Sequence, residues 1–153
     1  MDNMKHPKDI GDRTTLAVMT ALHAAGFGVL LPFGENSRYD LAIDDGSRLA
    51  RVQCKTGRLR NGAVWFNACS TYAHHHSATA QTRPYFGEVD FFAIHCGETG
   101  SVYLIPIEDL RIRRQGALRV APARNGQRRG IRPARTYEIG SVAIQITTGA
   151  EPP

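Results

Sequence analysis

The chain has 153 residues, 42% of them hydrophobic and 22% charged, enough for one domain that buries roughly 70% of the surface its unfolded form would expose. The net charge of +5 is carried by sixteen arginines against three lysines, an imbalance that suits phosphate because the guanidinium is a planar fork of donors. Three widely spaced cysteines, Cys54, Cys69 and Cys96, exclude a disulfide framework or a C-x-x-C zinc site and point to a reducing cytoplasm, while no apolar run approaches the ~20 residues of a membrane span.

Residues 1–9 are polar and are expected to be flexible. Leu16, Met19, Leu22 and Ala25 then recur at helical spacing and Gly26 supplies a stop, which predicts a helix from about Asp12 to Ala25. Phe27 to Leu31 is a short apolar run closed by Pro32, a first strand. Two more strands flank Asp45-Gly46, a dipeptide suited to a two-residue hairpin turn, and Asn61-Gly62 is a turn leading into a fourth strand, Ala63 to Ala68. Trp65 and Phe66 within it are packing residues. The polar stretch from Cys69 to Thr82 fits either a short helix or a loop. Its His74, His75 and His76 invite a metal reading, but three consecutive side chains do not converge on one ion in a regular element. A loop beside a nucleic-acid backbone is the better expectation.

Val89 to His95 and Val102 to Pro106 predict two strands around a turn at Gly97 to Gly100, and Ile107 to Leu110 a short helical turn. Asp90 suits a structural turn or a basic neighbour. From Arg111 to Arg135 there is no acidic residue, while Arg111, Arg113, Arg114, Arg119, Arg124, Arg128, Arg129, Arg132 and Arg135 fill the window. That is the footprint of a polyanion partner, although a solvated basic loop around one or two edge strands has the same composition. Tyr137 to Ile146 alternates and is expected to close the sheet, and residues 147–153 form a disordered tail. A single α/β domain over residues 10–146 accounts for the pattern.

The hairpin carries the chemistry. A two-residue turn pairs Asp44 with Ser47 and hence Asp40 with Arg51, and alternation then sorts the side chains. Tyr39, Leu41, Ile43, Ala50, Val52 and Cys54 take the core face. Asp40, Ala42, Leu49, Arg51, Gln53 and Lys55 take the other, so an aspartate, an amide and a lysine converge at the end away from the turn. A change of one residue in the loop reverses the faces. A carboxylate is a hard ligand for Mg²⁺, which is typically held by one or two carboxylates together with substrate phosphates, and a neighbouring lysine can steady charge on a phosphate. The same residues also suit an Asp40–Lys55 ion pair at a strand edge, and the pattern alone does not choose between them.

An acid in the first helix, Y-D at the start of a hairpin and Q-x-K at its end resemble the PD-(D/E)XK nuclease superfamily, most of all its group I intron-associated homing branch. The resemblance is carried by Gly11-Asp12, LLPFGENSRYDLAIDDG from Leu30, RVQCKTGRL from Arg51, RPYFGEVDFFAI from Arg83, VYLIPIEDL from Val102 and RNGQRRGIR from Arg124. It implies a restriction-endonuclease-like core, a mixed central β-sheet flanked by helices. It also implies a centre in which Asp40 binds the metal, Lys55 stands beside the attacking water, Asp12 approaches the metal directly or through water, and the Cys54 backbone carbonyl is a further ligand while its thiol packs inward. Gln53 stands where the wider superfamily has Asp or Glu, and glutamine there is similar to the intron-associated pattern. The missing charge implies weak metal binding until DNA phosphate completes the site.

The activity so implied is Mg²⁺-dependent cleavage of duplex DNA, with Mn²⁺ as a substitute metal. Arg38 and Arg51 flank the centre, Arg58 and Arg60 follow it, and with Arg111, Arg113, Arg114, Arg124, Arg128, Arg129 and Arg132 they are the expected DNA contacts. A double-strand cut takes two centres, hence a homodimer or a higher even assembly. The rival readings are a junction resolvase-like, structure-selective nuclease and a DNA-binding protein that kept the fold and lost catalysis.

Overall fold

Helix α1 runs from Pro7 to Ala24, opening five residues before the expected Asp12. Pro7 follows a capping residue, His6, whose ring accepts a hydrogen bond from the Lys8 N–H at 3.2 Å, and proline is preorganised for the first helical position, where its missing N–H costs nothing. At the other end Gly26 takes a positive φ of 94°, and the N–H groups of Gly26 and Phe27 bond back to the carbonyls of His23 and Leu22, which terminates the helix as a Schellman motif. The computed structural model describes residues 6–72, 81–84, 88–110 and 114–140. None of its helices is long and apolar enough to cross a membrane.

The strands are β1 (Gly28–Leu30), β2 (Leu41–Asp44), β3 (Leu49–Arg60), β4 (Ala63–Asn67), β5 (Cys69–Tyr72), β6 (Gln81–Pro84), β7 (Phe91–Cys96), β8 (Ser101–Pro106) and β9 (Gln115–Arg119). Apart from β5 and β6, which pair with each other, they form one sheet with the path β1-β2-β3-β4-β9, to which β7 joins along β3 and β8 along β7. Among the described strands only β3 and β7 run parallel, so the sheet is mixed and the domain is α/β. The Cys69–Thr82 stretch is therefore neither helix nor plain loop at its ends but two paired strands. The histidines at 74–76 lie outside the described residues. The expected closing strand from Tyr137 is a correction of a different kind. Ala134–Tyr137 is a 3₁₀ turn that follows Pro133, and Glu138 makes a single bridge to Tyr103, while residues 141–146 fall outside the described residues.

Two cores lie on opposite faces of β7 and β8. Val18 and Leu22 of α1 pack with Leu41, Ile43, Val52, Cys54, Ala93 and Leu104 on one face. On the other, Phe92, Ile94, Tyr103 and Ile105 meet Val64, Phe66 and Leu118 from β4 and β9. Among the described residues the sheet is thus covered by a helix on one side and by its own curled extension, not a second helix, on the other. Each of these buried aliphatic or aromatic side chains contributes about 1.5–3 kcal/mol. Phe66 is in this second core, edge-on to Phe92 at 6.4 Å, whereas Trp65 lies outside the core, 36% exposed beneath the Arg60 guanidinium.

Strand β3 crosses from one core to the other at Gly57. A Cβ there would stand 2.6 Å from Val64 Cγ1 and 2.8 Å from Ile94 Cγ2. The absent side chain is what lets β4 close over β7. We expect Gly57→Ala to cost about 1–3 kcal/mol through overpacking, read as a fall of several degrees in Tm. Gly11→Ala, in open space on α1, should raise Tm, because alanine is favoured over glycine inside a helix by about 1 kcal/mol.

Candidate active site

The β2–β3 hairpin brings the candidate residues together, but not through the expected turn. Its register pairs Leu41 with Val52, Ala42 with Arg51, Ile43 with Ala50 and Asp44 with Leu49, so the loop is the four residues Asp45–Arg48. Asp45 organises it, its carboxylate accepting from the Ser47 N–H and hydroxyl and the Arg48 N–H. These bonds hold the Asp45 carboxyl at about 2. The two-residue glycine turn occurs instead at Asn61-Gly62, where both residues have positive φ, 51° and 73°. The hairpin loop is longer than expected by an even number, so the faces of the paired residues are unchanged, whereas Tyr39, expected beside Leu41, lies before the first pair and packs against the second core. Leu41, Ile43, Val52 and Cys54 are buried against α1, and Ala42, Arg51, Gln53 and Lys55 look the other way.

Asp40 departs from strict alternation. It sits one residue outside β2, donates its N–H to the Val52 carbonyl at 2.9 Å, and turns its carboxylate into the edge of β3, where Oδ2 accepts the Cys54 N–H at 2.8 Å. A hydrogen bond to a charged acceptor of this kind contributes about 1.5–3 kcal/mol. The expected pairing of Asp40 with Arg51 does not form, since Arg51 stands across from Ala42. The N–H and C=O of one strand residue point to the same side, so the Cys54 carbonyl lies along the edge that Asp40 occupies, past the last β2 pair.

Lys55 shares its face with the second core. Its Nζ lies 5.7 Å from the Phe92 ring centroid and donates to the Cys69 carbonyl at 3.5 Å. Burial pushes the ammonium below its usual range, the charge of Asp40 pulls it back, and Arg38 pushes it down again. Burial likewise raises the Asp40 carboxyl, against the Cys54 hydrogen bond and the Lys55 charge. The Cys54 thiol, 8% exposed in the first core, is pushed up to about 12 by burial and then by Asp40, so it packs as a small apolar group.

The remaining candidates divide. Asp12 is exposed on α1, and among the described residues no three His, Cys, Asp or Glu side chains gather closely enough to hold a metal. Thr14, two residues on, docks the helix on β3 through a 2.6 Å bond between its hydroxyl and that of Thr56, beside Lys55. Arg38 pairs with Glu88, and Arg51 with Asp90, whose carboxylate also accepts the Arg51 N–H at 2.7 Å. The basic neighbour expected for Asp90 is therefore Arg51. Arg58, Arg60, Arg114, Arg124, Arg128 and Arg129 are exposed, and Arg132 is half-buried with Nε donating to the Asp109 carbonyl at 3.0 Å. Arg111 and Arg113 lie outside the described residues. Glu88 carried no periodic or compositional signal, and only its ion pair reveals it.

The oxygens at this edge fit a hard divalent cation of low coordination demand on the protein: one carboxylate raised by burial, which a cation would relieve, and the neighbouring Cys54 carbonyl. Mg²⁺ keeps waters and takes phosphate oxygens where protein ligands are few.

Compared with known proteins, the chain matches a family model described as PD-(D/E)XK endonuclease over residues 5–140. No curated protein matches it. Its fold is similar to the solved structure of a bacterial homing endonuclease, I-Ssp6803I, with a TM-score of 0.76 at 22% identity, over 96% of this chain and 98% of that one.

The raised Asp40 carboxyl has a consequence for stability. A carboxyl whose folded pKa exceeds its unfolded value of 3.8 binds more protons when folded, so stability falls as pH rises from 3.8 through the raised value. At pH 7 and without metal, Asp40→Asn should raise Tm by a few degrees, and at pH 3 the two proteins should melt together. A lower Tm for the variant at pH 7 would show that the Cys54 and Lys55 contacts outweigh desolvation.

Proposed function

The chain belongs to the PD-(D/E)XK endonuclease family, and from that premise we propose that it is a Mg²⁺-dependent endonuclease hydrolysing phosphodiester bonds in duplex DNA, of the site-specific homing type associated with group I introns. The observation that carries this reading is the meeting of Asp40 and Lys55 at the edge of β3. A carboxylate made costly by burial and held by the Cys54 N–H lies within electrostatic reach of an ammonium also made costly by burial. Two groups held charged against desolvation suit a site that gains a cation and a phosphate.

In this reading Asp40, the Cys54 carbonyl and Gln53 hold the metal, with Asp12 reaching it directly or through water. A metal ion bound there supplies a water of lowered pKa and positive charge for the phosphate oxygens. Lys55 would orient the attacking water and steady charge building on the phosphate, with Phe92 beside its ammonium. The exposed arginines of β3 and of residues 114–132 meet the phosphate backbone, which gives most of the affinity without reading sequence. Cutting both strands takes two copies related by symmetry, a homodimer or a higher even assembly. Gln53, by lowering the charge of the centre, is the feature that favours the alternative of a DNA-binding protein without catalysis.

Cleavage of a randomised duplex library with Mg²⁺, with a four-way junction alongside, tests the proposal. Recurrent cuts in linear duplex should fall by about 10²–10³-fold in Asp40→Ala and in Lys55→Ala. Junction-selective cutting would move the assignment to a structure-selective nuclease, and binding without cutting to the inactive alternative. Replacing Arg128 and Arg129 together by alanine should weaken binding uniformly across sequences and reduce the salt slope by about two.

A further inference from the structure

Residues 88–90 carry two acids on either side of Val89, which is 1% exposed in the second core, and each acid engages an arginine that flanks the proposed centre. The two pairs are not equivalent. The Arg51–Asp90 pair is 43% exposed on both sides, and its shortest bond is from the Arg51 backbone N–H, so it fastens the start of β7 to β3. The Arg38–Glu88 pair is side chain to side chain, through Arg38 Nε, and is 27% exposed on both sides.

Arg38 stands on the loop two residues before Asp40, near enough for its charge to act on Lys55. Glu88 is well anchored. The next peptide units are fixed by the Asp90 N–H on the Arg51 carbonyl and by the Ile107 N–H on the Asp90 carbonyl, both at 2.9 Å. An arginine side chain has many rotamers to lose on binding, and a carboxylate on Nε restricts them before any ligand arrives. Phosphate addresses the same guanidinium in two-pronged fashion, and it gains most when the plane is already set.

We propose that Glu88 is a positioning residue for phosphodiester cleavage, holding the Arg38 guanidinium in the plane that grips the reacting phosphate beside Lys55. This rests on the nuclease reading above. Arg38 is then a catalytic residue in the strict sense, touching substrate, and Glu88 acts only through it. Two cations, Lys55 and Arg38, thus lie between two acids, Asp40 on one side and Glu88 on the other. One acid serves the metal side and the other serves the phosphate side.

Steady-state cleavage of a duplex recovered from the randomised library, by the full chain as wild type, Arg38→Ala, Glu88→Gln and the double variant, tests this directly. Glu88→Gln should lower kcat by about 10–100-fold, the range for groups that orient a functional side chain, with KM changed less than about threefold. Glu88→Asp should recover part of the loss, and the double variant should be no slower than Arg38→Ala alone, because one residue works through the other. Multiplicative effects in the double variant, or a Glu88→Gln enzyme as fast as or faster than wild type, would overturn the proposal; the latter would mean that Glu88 competes with phosphate for Arg38. If Glu88→Gln melts far below wild type, the same cycle run with Glu88→Asp decides it. A wild-type protein that cuts no DNA overturns the nuclease reading and this inference together, whereas a cutting wild type with an indifferent Glu88 overturns the inference alone.

Discussion

Strand β3 serves two cores, and that double duty sets the position of everything around it. Over Val52 and Cys54 it faces α1, over Gly57 it faces the underside of β4, and between them Gln53 and Lys55 emerge on a face that is already turning apolar. A lysine at this junction has Phe92 beneath it because Phe92 belongs to the second core. Its burial follows from the crossing of the strand. So does that of Asp40, which lies at the edge where β2 has ended and can reach the backbone of β3.

The electrostatics of the centre follow from the same placement. Both charges are disfavoured by desolvation, and each partly offsets the other. Such a pair adds little to folding stability, since the cost of removing two ions from water rivals their attraction. Its persistence is easier to understand as preparation for ligands that bring charge with them. The Arg38–Glu88 pair extends this logic to the loop before Asp40.

Much of this was legible in the sequence because it depends on period. The alternation LAID and ARVQC fixed which side chains of the hairpin go inward, and a loop of two or of four residues leaves that sorting intact. The turn differs from the one its Asp-Gly dipeptide predicts because Asp45 has a second use: its carboxylate gathers three donors and builds a wider loop. Helix α1 opens earlier than its apolar periodicity predicts because His6 caps it and Pro7 takes its first position. Tyr137 and Glu138 alternate like a strand, yet Pro133 ahead of them starts a 3₁₀ turn and leaves only one bridge to Tyr103. The Glu88–Arg38 contact spans 50 residues, and no local pattern announces a contact of that range.

That β7 lies parallel to β3 also matters before the domain exists. The hairpin partners of β3 are close along the chain, whereas the strand that covers its other edge arrives 39 residues later, as the Arg51 to Asp90 separation measures. During synthesis the nascent hairpin therefore waits with one ladder edge open, the situation in which hydrophobic strands stack into aggregates. Arg51, Gln53 and Lys55 alternate along that waiting strand and act as gatekeepers on it. The polar side chains that border the proposed centre thus also interrupt the apolar run of the strand while its second edge is still open.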